Sequence, residues 1–206
     1  FIMYCRGHAT RIKIIKTYKL VPLGRFKLLN GQSVISDAGN RDIIDEYTVF
    51  ECIEINNPDH HETIYCGKSV AEDFCALANI SLPPLFNPLK TISVEHSSHG
   101  DNSSHKNSWN KTRKQLYNCT LLLIMYFGNS PTNKALFSIK RELENPNYLD
   151  YFPKKQIKSI NTYLSKVGIT FQFVLNEMRK SNKIRDFKYD LLIEYSNKLG
   201  ITQHFC

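Results

Sequence analysis

No stretch of the chain is apolar for long enough to span a bilayer. The longest run, 121-LLLIMYF-127, is seven residues, far short of the ~20 that a membrane helix requires, and reads as part of a buried helix. No membrane partner is therefore expected. No C-x-x-C pair occurs among the six cysteines at positions 5, 52, 66, 75, 119 and 206. An even cysteine count with N-x-[ST] triplets at Asn79, Asn102, Asn110 and Asn118 would suit a secreted disulfide protein. Cys75 and Cys119, however, sit in apolar helical patterns where a free thiol acts as a small hydrophobic residue. A reduced chain in an intracellular, cytoplasmic setting is the expectation. The first residue is Phe1 rather than Met, so it is no guide to the native N-terminus.

A phosphate-binding loop is also lacking. The segment 64-IYCGKSVAEDF-74 has the Gly-Lys-Ser ending of such a loop, but the glycine needed five residues earlier is Glu62, whose carboxylate would repel the anion. No nucleotide is expected. Ser69 and Glu72 instead have capping-box spacing, and Val70, Phe74, Leu77 and Ala78 follow at helical intervals, predicting a helix over 69–79.

Acidic residues are missing from positions 1–36, which hold Arg6, Arg11, Lys13, Lys16, Lys19, Arg25 and Lys27. The next block, up to Glu62, is acidic apart from Arg41, and the whole chain of 206 residues carries a formal charge of +8. Basic and apolar residues alternate in 11-RIKI-14 and 25-RFKLL-29, the period of strands with one wet face, with Pro22 and Gly24 as turn residues between them. Further strands are predicted at 47–55 and 63–66. The expected fold is α+β: a small antiparallel sheet with one packed helix over 1–90, a flexible Ser/His/Asn-rich loop over 91–109, and a helical domain over 110–206. In that domain, helices are predicted over 110–127, over 131–144 with Ser130 as cap and Ala135, Leu136, Ile139 and Leu143 as its stripe, from Pro153 to Gly168, and over 171–181 and 187–199. The octapeptides 163-YLSKVGIT-170 and 195-YSNKLGIT-202 echo one another and read as one helix stop used twice.

Chemistry-bearing patterns are sparse. Cys5 and His8 form a C-x-x-H pair which, with Cys66 and with Cys52, His60 or His61 as the fourth, offers the four N/S ligands of one structural zinc. His96, His99 and His105 form a looser group in the Ser/Asn-rich loop. Glu51 and Glu54 have odd spacing on a strand, so they face opposite sides and do not share a metal. No Ser/His/Asp or paired-carboxylate arrangement stands out, and no catalytic residue is assigned.

Cationic surface is the stronger lead. If the two N-terminal strands pair, Arg11, Lys13, Arg25 and Lys27 form a basic ribbon able to neutralise phosphates, unless the carboxylates of the acidic strand cancel them. The segment 106-KNSWNKTRK-114 sets Trp109 beside Lys111 and Arg113, a pattern for stacking a base among cations or for anchoring a helix start. The stretch 156–184 resembles a helix-turn-helix, with Thr170 capping the second helix and Arg179, Lys180 and Lys183 in reach of phosphate. Leu164, Phe171 and Leu175 depart from that pattern by being large and apolar where small or solvent-facing residues belong. Three functional expectations follow. The first is a non-enzymatic protein associated with DNA or RNA. The second is an interaction subunit docking a protein partner through Phe171 and Leu175. The third is a small effector enzyme with an unfamiliar site.

Overall fold

A computed structural model describes residues 3–90, 109–128 and 133–206. The chain forms an α+β fold of two compact units, Phe1–Asn87 and Pro88–Cys206. The expected loop over 91–109, with its three histidines, and the predicted Ser130–Pro131 cap lie almost wholly outside the described residues.

The first unit runs α1 (His8–Thr17), β1 (Tyr18–Lys27), β2 (Val34–Ile35), β3 (Asp42–Ile43), β4 (Glu46–Glu54), β5 (His61–Gly67), α2 (Lys68–Ala78) and β6 (Leu85–Phe86). Its main sheet has the order β5-β4-β1-β6, antiparallel except for the β1–β6 pair. On one face Phe50, Cys52, Ile64 and Cys66 pack with Ile14, Leu20, Ala71 and Phe74 into a core beneath the two helices. On the other, Phe86, Phe26, Tyr47 and Tyr65 form an aromatic row across all four strands, with neighbouring centroids 5.3 to 6.5 Å apart, the cross-strand pairing that ties register together.

Three local expectations are corrected here. Residues 11–14 are helical, not a strand. Four alternating residues satisfy either period, and tertiary contacts decide: Ile14 enters the core, while Arg11 and His8 bond Asp73 on α2. Pro22 and Gly24 do not end a strand. They flank a bulge at which Leu23 is the unpaired extra residue within one continuous β1, where a proline's missing N–H is tolerated. Finally, α2 begins one residue before Ser69, with Gly67 at its N-cap and no side-chain cap, so Ser69 and Glu72 form no capping box.

The open edge of β5 is covered locally. The Asp37 N–H donates to the Tyr65 carbonyl at 2.9 Å and the Tyr65 N–H to the Asp37 carboxylate at 2.6 Å, a two-bond imitation of a neighbouring strand that blocks sheet extension.

The second unit packs α4 (Asn133–Leu143), α5 (Lys154–Val167), α6 (Phe171–Lys180) and α7 (Asp190–Lys198) around α3 (Lys111–Phe127). Leu121 to Met125 of α3 are buried on every side, as a central helix requires. In α4, Leu136, Ile139 and Leu143 are buried as the periodicity predicts, but Ala135 is exposed and Phe137 takes its place. The echoed octapeptides are a repeated stop: the Ile169 N–H donates to the Leu164 carbonyl at 3.2 Å and the Ile201 N–H to the Ser196 carbonyl at 3.3 Å. Gly168 and Gly200 stand between at φ 73° and 63°, a conformation that costs glycine nothing.

Candidate nucleic-acid interface

Of the seven cations at positions 1–36, Arg11, Arg25 and Lys27 are paired, while Arg6, Lys13, Lys16 and Lys19 are exposed without an ion-pair partner among the described residues. Arg11, helical rather than in a ribbon, pairs with Asp73. Burial alone would lift the Asp73 carboxyl, but hydrogen bonds from Arg11 and His8 more than offset it and hold the group below the usual carboxylate range. Arg25 reaches Glu46 at 2.6 Å and Lys27 pairs with Asp45. Of the four expected ribbon residues, Lys13 alone stays exposed without an ion-pair partner among the described residues. Carboxylates of the acidic block thus pair with the two strand cations, Arg25 and Lys27, and, with Arg11 on a helix, no basic β-ribbon exists.

Around α3 and α6 the predicted contacts are divided between buried, paired and free side chains. Trp109 is half-buried with its ring centroid 5.0 Å from that of Tyr117, and the Lys114 ammonium lies 4.6 Å from it, so it anchors the start of α3. Lys111 is exposed. Arg113 is only 4 % exposed and donates to the carbonyls of Tyr151, Glu142 and Leu143 at 2.9, 3.2 and 3.0 Å. It satisfies orphan carbonyls at the end of α4 and is not free for phosphate. Thr170 does cap α6, accepting from the Phe173 N–H at 3.1 Å. Beyond that the helix-turn-helix likeness is a packing corner: Phe171 and Leu175 are fully buried, Arg179 lies 3.7 Å from Asp186, and Lys180 pairs with Glu177 at 2.6 Å. Lys183 remains exposed. Buried Phe171 and Leu175 offer no docking face, which corrects that expectation.

The expected zinc ligands do not meet. Cys5, Cys52 and Cys66 enter one apolar core. On the paired strands Cys66 stands opposite Thr48, four residues from Cys52, or about 13 Å at the strand rise. Two sulfurs on one zinc are about 4 Å apart at a 2.3 Å bond length. The His8 ring is turned to Asp73 at 2.9 Å, and His60 and His61 contact Glu54 and Glu51 from opposite faces of β4 at 2.8 and 3.1 Å. Among the described residues no group of three His, Cys, Asp or Glu side chains is placed to hold a metal. All six cysteines are free thiols, and only Cys206 is exposed. Burial pushes Cys5 and Cys52 up to about 12 and raises Cys66, Cys75 and Cys119 as well. Since the thiolate is the nucleophile, native protein at pH 8 should show one fast thiol to a chromogenic disulfide reagent and all six only after unfolding. Rapid reaction of more than one would mean that the cores open readily.

A single helix face of uncancelled charge lies on α5. Ile157, Ile160 and Leu164 bury one side of this helix. At 100° per residue, Lys154, Lys158, Lys155 and Lys166 fall within about 120° of the opposite side. All four are exposed and have no ion-pair partner among the described residues. The span from Lys154 to Lys166 is about 18 Å at 1.5 Å per residue, with Ser159, Thr162 and Ser165 as short hydroxyl residues between the cations.

Just before α5, a loop presents aromatic rings to solvent. Tyr148, at the end of a 3-10 turn (Pro146–Tyr148), is 51 % exposed, Tyr151 60 % and Phe152 44 %. Tyr148 and Tyr151 meet edge to face at 5.6 Å, and Phe152 leans on Tyr195 of α7 at 4.7 Å. The backbone beneath them is held: the Leu149 carbonyl accepts from the Asn110 N–H at 2.8 Å and the Tyr151 carbonyl from Arg113. Asp150 is the carboxylate within this loop, and Glu142 accepts from Gln156 at its margin. A signal for this face existed in the sequence: no Asp or Glu occurs between Asp150 and Glu177.

No helix among the described residues is long and apolar enough to cross a membrane. No protein-family model, curated protein or solved structure matches the chain.

Proposed function

We propose that the protein is a non-enzymatic, nucleic-acid-associated protein that engages the phosphate backbone through the lysine face of α5. The supporting observation is four lysines on one side of a single helix with no ion-pair partner among the described residues. A helix of this length runs past about five phosphates of one strand at 3.4 Å each. Exposed lysines bind such an anion at little desolvation cost, and their contribution is the release of condensed counterions, which makes affinity depend on salt.

The test is a gel-shift or anisotropy titration over a salt series. Replacing Lys154, Lys155, Lys158 and Lys166 by alanine should flatten the log–log salt dependence by about 3, at ~0.7–0.9 per lost phosphate contact. Arg25→Ala with Lys27→Ala should leave it unchanged, because those charges are already spent on Glu46 and Asp45. Unaltered binding by the α5 variant would overturn the assignment.

A further inference from the structure

Resting on that reading of α5, we infer that its ligand is single-stranded, with unpaired bases stacking on Tyr148, Tyr151 and Phe152 while the lysines track the phosphates. Three adjoining aromatic residues each expose between 44 and 60 % of their surface, an unusual exposure for side chains that normally dominate cores. Folding alone gives no reason to leave them out. The loop carrying them is fixed from behind by the Arg113 and Asn110 bonds, so the rings are presented without an ordering cost at binding.

The charge pattern chooses the occupant. The loop that carries the rings leads straight into α5, where Lys154 and Lys155 follow Phe152 and Pro153 in sequence. Aromatic faces beside a run of cations suit bases joined by phosphates, and stacking on them requires bases that are not already stacked in a duplex. A protein partner of ordinary composition would be drawn to the rings but not to four lysines with a lone carboxylate, Asp150, in the loop. Stacking accepts every base, so the site should show little sequence preference.

The experiment titrates the full chain with oligothymidylate, with a duplex of the same length, and with inorganic polyphosphate as a base-free polyanion. Single strand is expected to bind more tightly than either competitor. Tyr148→Ala with Tyr151→Ala should weaken oligothymidylate at least about tenfold and leave polyphosphate unchanged. Tyr148→Phe with Tyr151→Phe should retain the preference, since the ring is kept. Equal affinity for single strand and polyphosphate, or an alanine variant that loses both together, would overturn the stacking site while leaving the lysine face intact. Failure of the native chain to bind any of the three would overturn both, and the exposed rings would then be a protein contact.

Discussion

Arg113→Ala is expected to lower the free energy of unfolding by about 3–5 kcal/mol. The guanidinium is almost wholly enclosed and serves three main-chain oxygens at once, two from the last turn of α4 and one from the aromatic loop. Alanine removes that donor from the buried Leu143 carbonyl and from two part-buried ones, and a fully buried unsatisfied group costs roughly 1–3 kcal/mol. Burial also lowers the Arg113 pKa, a nearby Asp150 only partly opposing it, but the group stays protonated at any pH the fold survives. Arg113→Lys should recover part of the loss, because an ammonium keeps the charge but not the planar fork. Urea denaturation measures both. A loss under about 1 kcal/mol for alanine would mean that water reaches the stranded carbonyls. Because the Tyr151 carbonyl is one of the three, a partly folded Arg113 variant should also show faster amide exchange from residues 145–153.

Phe205→Ala should cost a similar amount, about 3–5 kcal/mol. Phe205 has no exposed surface, although it lies in a segment without helix or strand. That segment is stitched to α5 and α6. The Thr202 carbonyl accepts from the Asn161 amide at 2.9 Å, the His204 N–H donates to the Asn161 side-chain oxygen at 2.8 Å, and the carbonyls of His204 and Phe205 accept from the N–H groups of Phe171 and Gln172 at 2.8 and 3.1 Å. The last two are first-turn N–H groups of α6 that no helix can satisfy internally. Losing the Phe205 ring leaves a cavity and loosens that cap, so the Phe171 and Gln172 amides should exchange faster than the rest of α6. A thermal midpoint within a degree or two of the native value would contradict this account.

The α+β division and the helices of the second unit were legible because their signals are local. Gly168, Asn145-Pro146 and the 3.6-residue stripe of α5 each act over one or two turns. The site was less legible for three physical reasons. Alternation in 11-RIKI-14 is too short to separate strand from helix, so Arg11 and Lys13 were placed on a ribbon that does not form. Charge cancellation at Arg25 and Lys27 depends on register, which sequence does not print. Arginine is ordinarily exposed, so nothing near Arg113 announces that it serves buried carbonyls. The α5 face itself was visible as a 26-residue interval without a carboxylate, between Asp150 and Glu177. Residues 156–184 also carry the helix-turn-helix pattern, which the burial of Leu164, Phe171 and Leu175 turns into a packing corner.

The pairing of Asp37 with Tyr65 bears on how the chain emerges during synthesis. Residues 36–38 leave the ribosome before β4 and β5 do, so the guard is waiting when the vulnerable strand appears. A nascent sheet thus never has to present a bare β5 border to neighbouring polysomes while a downstream segment catches up. Permuting the chain so that Asp37 follows Tyr65 would reverse that order, and the cost should surface as aggregation during expression and leave the purified fold's stability unchanged.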